Sequence, residues 1–229
     1  MEKTGIDLAG ESGGVFFSKE LIVDTDKWGT ASLTSGSFGQ TFKITPLQLV
    51  RAVAAVVNGG YLLEPYIVSE IVDAEGNTLL KQEPTVLGRP ISEETSRIMC
   101  GMIESVVTEG TAKNAAVRGY RVGGKTGTSE KIDVFDENGQ RVRDKIVSFV
   151  GLAPMDDPRY IILVGLDTPD TSTGIYISGG VMAAPTVGRA RGQWTSPARM
   201  NRQVASVVPA AAESLLVAMA LWTGSPASR

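Results

Sequence analysis

The sequence predicts an α+β fold in which an antiparallel sheet is packed with helices. Three observations point there. Two segments, starting at Thr45 and near Ser92, carry helix-start signals followed by apolar positions at helical spacing. Three strand-like runs, 120–129, 146–153 and 160–167, follow one another through short or hairpin-like links, which makes an antiparallel meander rather than a βαβ unit. The composition, 42% hydrophobic and 21% charged over 229 residues, is that of an ordinary globular chain, long enough for one large domain or two small ones.

Residues 32–45 are rich in Gly, Ser and Thr and read as loop. Thr45 then suits an N-cap, Pro46 the first helical position, and Gln48 completes a capping box. Leu47, Leu49, Val50, Val53, Ala54 and Val57 form an apolar face, and Asn58-Gly59 stop the helix. That face is uniformly aliphatic, so it reads as core. Residues 61–83 read as strands, with Glu75-Gly76-Asn77 turning between 67–72 and 78–81. The second helix carries Glu93 and Glu94 in its first turn, where the helix dipole favours acids. It continues to Val107, with Gly110 as the residue just past its end. Residues 154–158, Pro-Met-Asp-Asp-Pro, form the turn between the last two strands of the meander. The charged stretch 131–145 reads as a solvated hairpin extension rather than a carboxylate site.

Composition removes several kinds of chemistry. With no histidine, Ser-His-Asp and Cys-His catalysis and any histidine metal site are excluded, and no cofactor or metal is expected. A net charge of -3, with no basic stripe interleaved with aromatics, gives no reason to expect nucleic acid. The single Cys100 lies in an apolar helical run and reads as a buried structural thiol. Neither a secretory signal nor a membrane span is legible. The most apolar segment, 215–222, is too short to cross a bilayer.

The most informative stretch is Gly123-Gly-Lys-Thr-Gly-Thr128. It sets the compact cation of Lys125 between backbone that a ligand can approach closely and the hydroxyls of Thr126 and Thr128. Such a surface suits a carboxylate or a phosphate. Two motifs compete for it. Lys-Thr-Gly is a motif of β-lactamases and penicillin-binding proteins. Residues 119–126 also fit the phosphate-binding loop G-x-x-x-x-G-K-[ST], and the apolar run 161–167 ends in Asp167 as a second nucleotide motif would. The phosphate loop needs a buried strand before its first glycine and a helix beginning at its lysine. Residues 110–118 form no apolar run, and residues 129–139 carry no helical stripe. The strand reading is therefore preferred.

Ordered motifs then carry a family likeness. Val106-Val-Thr-Glu-Gly-Thr-Ala-Lys-Asn-Ala, Gly119-Tyr-Arg-Val-Gly-Gly-Lys-Thr-Gly-Thr-Ser-Glu-Lys and Val147-Ser-Phe-Val-Gly-Leu-Ala-Pro strongly resemble the transpeptidase domain of class B penicillin-binding proteins. Lys3-Thr-Gly-Ile-Asp-Leu, Ser37-Phe-Gly-Gln and Thr45-Pro-Leu-Gln resemble that family in the same order. The likeness covers about residues 2–185. It implies a partial β-lactamase/transpeptidase-like fold over 1–185, acting in peptidoglycan cross-linking during division, elongation or sporulation. The implied partners are the stem peptide and β-lactams, at the extracytoplasmic face of the cell membrane. The resemblance also implies roles. Lys125 supplies positive potential for the substrate's terminal carboxylate and for a lysine–serine proton network. The Thr126 and Thr128 hydroxyls hold that carboxylate, beside Gly127. The Thr128 backbone N–H is one oxyanion donor.

The family's nucleophile motif, Ser-x-x-Lys, and its Ser-x-Asn motif stand upstream of the Lys-Thr-Gly-Ile-Asp stretch. Neither pattern occurs in these 229 residues. The expectation is the C-terminal half of a catalytic domain, without a nucleophile of its own, inactive alone and lacking its N-terminal half. A non-catalytic interaction module is the rival reading. Strict strand alternation raises one further question, since it puts Lys125 and Gly127 on one face and both threonines on the other. A shared site then needs a strand edge or strong local twist. Finally, residues 186–229 change character. Arg, Ala, Ser and Pro take over, Glu213 is the only acid, and Lys, Asp, Ile, Phe and Tyr vanish. This tail is expected to be atypical, an out-of-frame or unrelated reading with a natural divergent tail as the alternative, and 209–222 only weakly resembles a terminal helix.

Overall fold

The computed structural model describes residues 2–15, 34–40, 42–131, 134–170, 172, 174–189 and the backbone of 214–221. The chain divides into two compact units. One comprises Met1–Ala55 and Tyr61–Pro90, the other Val56–Gly60 and Ile91–Arg229.

The first unit holds α1 as far as Ala55; the helix spans Pro46–Val57 and begins as expected. The Gln48 N–H donates to Thr45 Oγ1 at 3.2 Å, and the Thr45 N–H donates to Gln48 Oε1 at 2.9 Å, so two N-terminal donors are satisfied reciprocally. The Gln48 amide is itself buried and donates to the Glu2 carbonyl at 2.8 Å. The loop expected over 32–45 holds one helical turn at 34–37. Two small antiparallel pairs follow. β1 (Leu62–Leu63) pairs with β4 (Val86–Gly88), and β2 (Glu70–Val72) pairs with β3 (Thr78–Lys81). The β2–β3 turn is made at Glu75-Gly76-Asn77, with Gly76 at φ +87°. The Asp73 carboxylate accepts from the Asn77 and Glu75 N–H groups at 2.7 and 3.0 Å. Sequence reading missed β4, a three-residue strand too short to carry a period.

The Lys3-Thr-Gly-Ile-Asp stretch is a structural clasp of this unit. Thr4, 3% exposed, donates through its N–H and its hydroxyl to Glu11 Oε1 at 2.7 and 2.6 Å. The Asp7 carboxylate accepts from Val68 and Ile67 N–H at 3.0 and 2.6 Å, and these bonds hold its pKa below the ordinary carboxylate value.

In the second unit, α2 runs Glu93–Thr108. Its N-cap Ser92 accepts from the Thr95 N–H, and Glu93 and Glu94 occupy the first turn. Replacing Ser92 with alanine should cost about 1 kcal/mol, the usual worth of such a cap; urea titration of the two proteins side by side measures it, and Ser92→Asp should restore most of the loss. At the far end the Gly110 N–H bonds to the Ser105 carbonyl at 3.0 Å. A Cβ on Gly110 would lie 2.8 Å from the Val106 carbonyl oxygen, so close approach selects glycine there.

The sheet is the expected meander. β5 (Gly123–Glu130), β6 (Lys145–Ala153) and β7 (Tyr160–Asp167) pair antiparallel in sequence order. The link 131–145 carries a bridge between Phe135 and Arg141, and the Lys131 N–H bonds to the Asp144 carbonyl at 2.8 Å, as a hairpin extension would. β6 and β7 are buried on both faces, which explains their near-continuous apolar runs. Phe149 and Val164 are paired across β6 and β7. With Val107 of α2 and Val187 they belong to one core cluster, in which Phe149 and Val187 are 0% exposed. Val187 belongs to α3, Ala184–Arg189, which continues directly from a π-helical segment at Gly179–Ala183. The helix thus crosses Pro185 without a break and buries Thr186 beside Val187. In the expected tail, 214–221 is no helix: β8, Ser214–Leu221, pairs antiparallel with β7. The run Leu-Leu-Val-Ala-Met-Ala is short and apolar without a helical stripe, a pattern that suits a strand. The other tail residues, 190–213 and 222–229, lie outside the described residues.

Candidate functional site

β5 is the end strand of the four-stranded sheet, in the order β5-β6-β7-β8. Its whole length pairs with β6 without a register shift. Alternation is therefore strict. Lys125 and Gly127 oppose Val150 and Ser148 on one face, and Thr126 and Thr128 oppose Phe149 and Val147 on the other. Among the described residues no strand pairs with the other edge of β5, so that edge is open beside residues of both faces. Lys125 and Thr128 are exposed, and Thr126 and Gly127 are half-buried. The Lys125 ammonium donates to the Thr126 carbonyl at 2.8 Å.

The glycines have a different cause from the one sequence suggested. Gly123 and Gly124 are buried, so they are not surfaces for a ligand. A Cβ on Gly123 would lie 2.6 Å from Met155 Sδ and 2.9 Å from Ile103 Cγ2. On Gly124 it would strike the Phe149 ring. Only Gly127 sits beside the candidate ligand surface. A Cβ there would lie 2.5 Å from Ser148 Oγ.

Three residues near the threonines escaped sequence reading. Thr111 Oγ1 lies 3.3 Å from Thr126 Oγ1. The Gly179 N–H, at the start of the π-helical segment, donates to Thr128 Oγ1 at 3.4 Å. The Asn114 side-chain amide donates to the Gly180 carbonyl at 3.0 Å. The available signals were Ser178-Gly179-Gly180, a hydroxyl followed by two glycines, and the Gly110-Thr111 step after α2. Neither says which strand it will meet.

Neighbouring charges fix the ends of β5. The Arg121 guanidinium grips Glu104 of α2 through two bonds of 2.8 and 2.5 Å and holds that carboxyl below its usual range. Just past β5, the Lys131 ammonium pairs with Asp167 at 2.5 Å and bonds to Thr168 Oγ1 at 2.9 Å. Lys131 lowers the pKa of Asp167. Asp167 is thus the partner of a lysine and not the acid of a nucleotide site. Lys125 lies inside a strand with no helix starting at it, so the phosphate-loop geometry is absent. The second Lys-Thr-Gly, residues 3–5, is closed off by the Thr4–Glu11 bonds. Cys100 is half-buried rather than fully buried, and burial, with a smaller push from Glu104, raises its pKa away from the reactive thiolate. Among the described residues no cluster of three or more Cys, Asp or Glu is placed to hold a metal, and no helix is long and apolar enough to cross a membrane.

A strand bearing Lys-Thr-Gly-Thr, on an antiparallel sheet packed with helices, is the arrangement that the sequence resemblance leads one to expect. The chain belongs to the penicillin binding protein transpeptidase domain family, whose model matches residues 1–187. Its relatives are of class B. It is 46% identical over 189 residues to stage V sporulation protein D of Bacillus subtilis, covering 82% of this chain and 27% of that protein. It is 30% identical over 191 residues to the peptidoglycan D,D-transpeptidase FtsI of Escherichia coli, covering 82% of this chain and 28% of that protein. Among solved structures, penicillin-binding protein 3 of Mycobacterium tuberculosis complexed with aztreonam matches with a TM-score of 0.68 at 28% identity, covering 87% of this chain and 44% of that one. The transpeptidase domain of Burkholderia pseudomallei penicillin-binding protein 3 matches at 0.62 and 32% identity, covering 84% of this chain and 54% of the domain. The chain thus spans about a quarter of the length of the curated relatives it matches.

Proposed function

We propose that this chain contributes the carboxylate-binding half of a peptidoglycan D,D-transpeptidase site. The serine nucleophile would come from sequence outside these residues. The observation that carries the reading is the exposed Lys125 and Thr128 on an end strand whose other edge takes no strand partner among the described residues. In this role Lys125 supplies positive potential to the stem peptide's terminal carboxylate and to the serine–lysine proton network. Thr126 and Thr128 donate to the carboxylate, and the Thr128 N–H donates to the oxyanion of the acyl-transfer intermediate. The solved relatives complexed with aztreonam and with ampicillin support β-lactams as ligands of the completed site. Relatives named for sporulation and for peptidoglycan transpeptidation support work on the outer face of the cell membrane.

The chain by itself should not be acylated, because no Ser-x-x-Lys lies within it. Incubation with a fluorescent penicillin followed by mass spectrometry tests this. A serine adduct would show that these residues hold their own nucleophile and would sink the half-site reading.

A further inference from the structure

We propose that Thr111 is a positioning residue for the carboxylate site: it holds the Thr126 hydroxyl as an acceptor, so that the Thr126 hydrogen is left to donate to the bound anion. The inference rests on the function proposed above and deepens it.

A hydroxyl has one hydrogen and two lone pairs. Between Thr111 Oγ1 and Thr126 Oγ1, 3.3 Å apart, either can be the donor. A carboxylate accepts only, so an anion arriving at Thr126 takes the Thr126 hydrogen. The bond between the threonines then survives only if Thr111 donates. Donation into Thr126 polarises its hydroxyl and strengthens what it gives to the anion. The neighbouring Thr128 has the same arrangement by a fixed route. Its Oγ1 accepts from the Gly179 N–H at 3.4 Å, which leaves its hydrogen free to donate. Both anion-facing hydroxyls thus have a donor behind them, one a backbone amide and one Thr111.

Thr111 is held for this task. A Cβ on Gly180 would collide with the Thr111 carbonyl and would sit in ordinary contact, 3.5 Å, with Thr126 Cγ2, so only glycine lets the chain at 180 close on Thr111 beside Thr126. Asn114, three residues on, donates to the Gly180 carbonyl at 3.0 Å and fixes that segment from the other side. Ala112 and Ala115, flanking this stretch, are fully buried and anchor its backbone. An exposed threonine doing nothing would need none of this.

The test uses the 229-residue chain and N-acetyl-D-alanyl-D-alanine as probe, with the C-terminal amide of the same dipeptide as control. Amide shifts of residues 125–128 are followed by NMR. The wild type should bind the acid and not the amide, and Lys125→Ala should lose that preference. Thr111→Val, which keeps the shape, should weaken acid binding about three- to tenfold, the worth of one modest hydrogen bond. Thr111→Ser, which keeps the hydroxyl, should bind as the wild type does. If Lys125→Ala loses binding while Thr111→Val retains it, the site reading stands and this inference is overturned. Equal weakening in Thr111→Val and Thr111→Ser would make Thr111 a packing residue and also overturn it. No acid-dependent shift in the wild type would remove the site reading, and this inference with it.

Discussion

Lys125→Ala and Thr128→Val should each slow acylation by about 10²–10³-fold once the chain is joined to a family-like N-terminal half carrying Ser-x-x-Lys and Ser-x-Asn. The expected size follows from preorganisation. The backbone of Lys125 is fixed on a strand paired along its whole length with β6, and its ammonium is held beside that strand by the Thr126 carbonyl. Thr128 Oγ1 is fixed in turn by the Gly179 N–H. Removing a preorganised donor of this kind typically costs about 2.7–4 kcal/mol of transition-state stabilisation. Stopped-flow capture of a fluorescent penicillin gives the rate. Lys125→Arg should not rescue, since a planar fork replaces a compact point charge. Thr128→Ser should rescue, since it keeps the hydroxyl. Near-normal acylation in both Lys125→Ala and Thr128→Val would make the hexapeptide a scaffold.

The largest loss of stability should come from Phe149→Ala. Phe149 is 0% exposed, opposes Val164 of β7, and shares the core with Val187 of α3. Truncating such a ring costs about 3–5 kcal/mol, the transfer of the ring plus the cavity it leaves. That is a large share of the roughly 5–15 kcal/mol that holds a domain folded. The consequence reaches the site, because Phe149 also opposes Thr126 and lies against Gly124. Ile146→Ala, on the same strand but 39% exposed, is the control and should cost far less. Urea unfolding followed by circular dichroism compares them. Equal midpoints for the two variants would mean that this cluster is not the core.

Much of this protein was legible in the chain. The capping box at Thr45 and Gln48, the Ser92 cap and the three apolar runs of the meander are local signals. Each depends on residues within a few positions of one another, where hydrogen-bond reach and side-chain period decide the outcome. The family also followed from ordered local motifs, and the matched residues 1–187 agree with the resemblance read over about 2–185. The choice between a phosphate loop and a strand at Lys125 was settled the same way, by what stands on either side.

Tertiary structure decided what depends on partners distant in sequence. Sequence showed that Lys125 and the threonines alternate, but not that β5 ends the sheet; only the pairing order sets that. It offered the glycines as openings for a ligand, whereas Gly123 and Gly124 yield to Met155, Ile103 and Phe149, which pack onto them from α2 and β6 and from beyond β6. It could not show that Thr186 and Val187, where the composition changes, are buried, because a helical run beginning at Gly179 carries them into the core. Thr111 and Gly179 reach β5 from fifteen residues before Thr126 and fifty-one after Thr128. Local propensity governs which element forms, but the face each element presents is fixed by what buries it, and that information is spread over the whole chain.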